Sequence, residues 1–108
     1  MNNDITYAMA VVRTADEARI INANMAHKLR YSRFEAVFIG EDILSRHHKG
    51  TRPNLIIITA GLPINVTEKQ AEWFRKGLFP FVDDRAVWAV PERFSSRAEI
   101  NDNLTEVD

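Results

Sequence analysis

Apolar residues along this chain recur with two different periods, and the switches between them outline the secondary structure. Ile5–Arg13 (ITYAMAVVR) is an almost unbroken apolar stretch ending in two β-branched valines, which predicts a strand buried on at least one face. The period then changes. Ala18, Ile21, Met25 and Leu29 fall at helical spacing, with Arg19, Asn22, His27 and Lys28 elsewhere, so an amphipathic helix is expected over residues 14–30. Thr14 and Glu17 stand three apart at its start, the spacing of a capping box, and Asp16 and Glu17 complement the helix dipole. Phe34–Ile39 (FEAVFI) predicts a short strand ending at Gly40. Glu41–Lys49 is compatible with two helical turns between Asp42 as a cap and Gly50 as a terminator.

The second half repeats this alternation. Asn54–Ala60 (NLIIITA) is continuously apolar, as expected of a strand covered on both faces, and Gly61-Leu62-Pro63 breaks it. Thr67 and Gln70 form a second capping box, with Ala71, Phe74 and Leu78 on one helical face. Gly77 and Pro80 end that helix, and Ala86–Val90 (AVWAV) predicts a last strand. The expected order is β-α-β-α-β-α-β. It implies a small three-layer Rossmann-like α/β domain with a mostly parallel four-stranded sheet over residues 1–93. Residues 94–108 read as a polar, acidic tail, either disordered or holding a short helix capped by Ser96. In this reading Val11–Val12 and Ile56–Ile58 run side by side in the same direction.

Composition narrows the function classes. The 108 residues suffice for one domain, and 45% are apolar. There is no cysteine, which excludes disulfides, thiolate metal sites and a cysteine nucleophile. The first thirteen residues lack an unbroken secretory apolar region and no stretch approaches membrane-spanning length, so a cytoplasmic location is the default expectation. Net charge is −1, with eight Lys/Arg and six Asp/Glu in residues 1–53 against six and nine in residues 54–108.

Three surfaces carry candidate chemistry. In an open α/β sheet, ligands sit beyond the carboxyl ends of the strands. Here that region would hold Thr14, Asp16, Glu41, Asp42, Thr59, Glu92 and Arg93, several of which also serve as helix caps. The basic segment Arg46-His47-His48-Lys49-Gly50-Thr51-Arg52 offers fixed and titratable positive charge to phosphates or nucleic acid. Its alternative is a solvated connection. Trp73, Phe74, Phe79, Phe81 and Trp88 crowd into sixteen residues. Successive helical residues point about 100° apart, so Trp73 and Phe74 cannot share one face. Either that helix is covered on two sides or an aromatic patch is exposed for a partner.

No glycine-rich phosphate loop, nucleophile elbow or metal-ligand spacing is present, and adjacent His47 and His48 point in different directions. No cofactor is expected. The expectation is a non-catalytic interaction or regulatory module that binds a protein partner or itself, with Trp73, Phe79 and Phe81 as contact residues. The alternatives are a phosphate or nucleic-acid accessory protein using Arg46, His47, His48, Lys49 and Arg52, and a small enzyme at the strand ends.

Overall fold

The computed structural model describes residues 5–25, 33–43 and 52–107. Its main sheet has five strands: β1 (Tyr7–Val12), β2 (Arg33–Phe38), β3 (Leu55–Ile58), β5 (Val87–Val90) and β6 (Arg93–Ser95). They lie in the order β2-β1-β3-β5-β6, and all neighbours are parallel except β5 and β6. The expected adjacency of the two valine- and isoleucine-rich runs is present: Met9 pairs with Ile56, Ala10 with Ile57 and Val11 with Ile58, in parallel. All six residues of β1 are buried. A strand flanked on both edges and covered on both faces has no water-facing side, which accounts for its unbroken apolar sequence.

The sheet separates two cores. On one face, Ala10, Val12 and Ala36 pack with Ala18 of helix α1 (Ala15–Met25), joined by Ile21, Phe34, Phe38 and Ile57. On the other, Met9, Val11, Ile56, Ile58 and Trp88 pack with Ala71, Phe74 and Leu78 from the helical segment that follows β3. The helices after β1 and β3 therefore cover opposite faces, and chain progression reverses between β1 and β3.

Both expected capping boxes are formed. Glu17 N donates to Thr14 Oγ1, and Thr14 N donates back to the Glu17 carboxylate, each at 3.2 Å. Thr67 and Gln70 make the same reciprocal pair at the start of α2 (Glu68–Glu72). From Trp73 the helix widens into a π-helical stretch to Leu78, where Phe79 N donates to Phe74 O, and it tightens to a 3₁₀ turn over Phe79–Phe81.

Three features differ from expectation, and a fourth decides between two alternatives. The main sheet has five strands rather than four, because the chain turns back at Pro91-Glu92 and adds β6 antiparallel to β5. Residues 41–43 are not helical; Ile43 is buried in the larger core, and the rest of the expected second helix lies outside the described residues. A separate pair of parallel strands, β4 (Ile64–Val66) and β7 (Leu104–Glu106), follows the Gly61-Leu62-Pro63 break and the final helix.

Finally, residues 93–107 are folded onto the domain. Ser96 caps α3 (Arg97–Asp102) as its type suggests, and Ile100 is fully buried with Leu104 beside it. Burying a side chain of that size contributes roughly 1.5–3 kcal/mol, which adds to the β4–β7 pairing and the Ser95–Glu99 hydrogen bond in holding the segment. The isolated apolar residues in this stretch have too little periodicity of their own to announce that role.

Candidate functional site

The side chains at the carboxyl ends of the strands are engaged in local structure. Thr14 is occupied by its capping box, and Asp16 pairs with Arg19 one turn on. Thr59 Oγ1 donates to Val11 O at 3.0 Å, tying β3 to β1 at the point of reversal. Arg13 reaches across that point to Asn65 O at 3.1 Å. The Glu41 carboxylate accepts from Phe38 N, and Glu41 O accepts from Trp73 Nε1 at 2.6 Å. Glu92 sits in the β5–β6 turn with φ 70°, and Arg93 donates to Glu99.

Two hollows flank the end of β2. One, of about 360 Å³, lies between α1 and β2 and includes Asn22, Phe38, Glu41 and Asp42 in its wall. The other, of about 480 Å³, lies between Gly40 and the start of α2, with Lys69, Gln70, Glu72 and Trp73 along it. Neither wall contains Thr14 or Thr59, so these hollows do not unite the strand-end residues that the sequence grouped together.

The aromatic segment divides between core and surface. Phe74 is completely buried, and Phe79, Phe81 and Trp88 are nearly so. Their rings meet edge to face, Phe74 on Phe79 at 6.2 Å and Phe79 on Trp88 at 5.6 Å. Trp73, half-buried, turns the other way and packs edge-on against Phe74 at 5.0 Å. Its indole N–H is satisfied by Glu41 O, and Gly77 lies beneath the ring, where an added Cβ would come within 3.3 Å of it. The helix is thus covered on a second side by residues 39–43, which resolves the geometric conflict between consecutive aromatics. Of the three expected contact residues, only Trp73 lines an open hollow.

Of the basic segment, Arg46, His47, His48 and Lys49 lie outside the described residues. Arg52 is described and donates to Pro80 O at 3.2 Å. No helix among the described residues is long and apolar enough to cross a membrane.

One surface residue escaped the sequence reading. Phe94, in the middle of β6, is 73% exposed. The strand register places it at the end of a row that crosses the whole sheet: Ala36, Ala10, Ile57, Ala89, Phe94. Burial falls along this row. Ala36 (2%) and Ala10 (4%) lie beneath α1, Ile57 and Ala89 are half-buried, and Phe94 stands open. A helix about 10 Å across cannot cover five strands spaced about 4.8 Å apart. Ile20 and Val107 are also exposed, but single exposed apolar residues are ordinary. Phe94 differs because it continues an apolar row.

The chain has no significant match to any protein-family model, curated protein or solved structure.

Proposed function

We propose that this chain is a non-catalytic interaction module that assembles with a protein partner. The observation that carries this reading is the apolar row that emerges from beneath α1 and ends at exposed Phe94. An aromatic ring on a sheet edge loses solvent-exposed area only when something packs on it, and aromatic side chains are the commonest anchors of protein contacts. The engagement of Thr14, Asp16, Glu41 and Thr59 in caps and strand ties also favours a structural role for residues otherwise suited to acid–base chemistry.

The test is site-specific photocrosslinking. A benzophenone amino acid replaces Phe94 in one preparation and the exposed Lys76 in another. Each is irradiated both as purified protein and in a cleared cell extract. The expected result is a discrete protein adduct at position 94, to a second copy or to another protein, and none at position 76. Equal or absent adducts at the two positions would overturn the reading.

A further inference from the structure

We infer that β6 is a self-association edge: two copies of this chain pair their β6 strands antiparallel about a two-fold axis at Phe94. The inference rests on the interaction-module reading and names the partner. The β5–β6 connection is a two-residue turn, Pro91-Glu92, with Val90 opposite Arg93. In such a hairpin the pair nearest the turn is hydrogen-bonded and the next is not. Phe94, opposite Ala89, therefore directs its backbone N–H and C=O away from β5, toward the open edge of the sheet.

An antiparallel hydrogen-bonded pair exchanges both bonds between the same two residues, so Phe94 is complementary to Phe94 of a second copy. That register sets the two rings side by side on one face, about 5.5 Å apart at Cα, each over the half-exposed Ala89 of its own chain. It also sets Arg93 opposite Ser95 of the second copy, so no like charges are directly opposed. The strand is held ready for pairing. Arg93 and Ser95 both donate from its other face to Glu99, which fixes β6 against α3. The opposite edge of the sheet is closed to such pairing. Asn22 Nδ2 donates to Ala36 O at 3.0 Å and Ala36 N donates to Asn22 Oδ1 at 2.7 Å, so a carboxamide occupies the outward backbone of β2.

Three residues of edge bury far less than the roughly 800 Å² per partner of a standard interface, so dimerisation is weak and concentration-dependent, with Kd above roughly 10 µM. Sedimentation equilibrium of the full chain from about 1 µM to about 1 mM reads it directly. The expected mass rises from the 12.4 kDa monomer toward twice that value. Phe94→Asp, which sets two carboxylates against each other, weakens association at least tenfold with an unchanged urea midpoint at low concentration. Phe94→Thr, which keeps strand propensity, serves as the second variant should Phe94→Asp not fold. Hydrogen exchange of the Phe94 amide slows as concentration rises, a change that ring contact alone would not produce.

A wild-type chain monomeric at 1 mM, undiminished association in a folded Phe94 variant, or a concentration-independent Phe94 amide would each overturn the inference. A monomeric chain that still gives a position-94 adduct to a different protein overturns self-pairing and leaves the interaction reading standing. Loss of every adduct removes both.

Discussion

The two edges of the main sheet are finished in opposite ways. At β2, side chains from outside the strand satisfy its outward backbone: Asn22 mimics a neighbouring strand at Ala36, and Glu41 accepts from Phe38 N. At β6 the side-chain anchors among the described residues lie on one face, through Glu99, and the other face carries the exposed phenyl ring of Phe94. Open strand edges are aggregation hazards that folded proteins ordinarily block. One edge blocked and one left open with an aromatic residue on it is the contrast on which the proposed contact surface rests.

The comparison can be broken at its foundations first. Trp88 sits on β5 beside β6, 2% exposed and packed edge-on against Phe79. Trp88→Ala is expected to cost about 3–5 kcal/mol in urea unfolding, because it empties the core beneath the open edge. A loss under 1 kcal/mol would mean that β6 is not supported by that core. Next is the blocked edge. Asn22→Ala leaves the outward N–H and C=O of Ala36 without their partner, at an expected cost of about 1–3 kcal/mol. It should also produce concentration-dependent aggregation through β2, visible as light scattering at concentrations where the wild type stays clear.

Smaller effects sharpen the picture at the turn and the anchor. Glu92 holds a positive φ that a non-glycine residue adopts at a cost, so Glu92→Gly should raise the unfolding free energy by up to about 1 kcal/mol without disturbing β6. The smallest effect is electrostatic. The Ser95 hydroxyl, then the Arg93 guanidinium, hold the Glu99 carboxyl below its ordinary value of 4.5. A carboxylate with a depressed folded-state pKa adds stability above its unfolded value, and that stability disappears as pH falls below 4.5 through the folded value. Glu99→Gln should flatten this acidic limb of the stability curve and lower stability above pH 6 by a constant amount, leaving the slope there unchanged.

Much of the fold was legible along the chain. The runs at Tyr7–Val12 and Leu55–Ile58 lack polar alternation, and two-sided burial is the only setting that suits them. The capping boxes at Thr14 and Thr67 and the cap at Ser96 were readable because each is complete within four residues. Trp73 and Phe74 posed a conflict that the sequence stated and left open. A widened helix and the carbonyl of Glu41, thirty-two residues away, resolved it. Phe94 was illegible for a related reason. It stands alone between a turn and a helix cap, and nothing local reveals that it ends a row begun at Ala36.

The sequence by itself determined the strands β1, β2, β3 and β5, the capped starts of the helices after β1 and β3, and that the central strands run parallel. These properties follow from period, capping and turn chemistry, which act over a few residues. Only the tertiary structure decided that residues 93–106 add an edge strand to the main sheet and a partner for β4 in a second small one. It alone made the aromatic cluster core and left Phe94 at the open edge. Those outcomes depend on which surfaces distant segments cover, and coverage is a property of the assembled layers rather than of any stretch of chain.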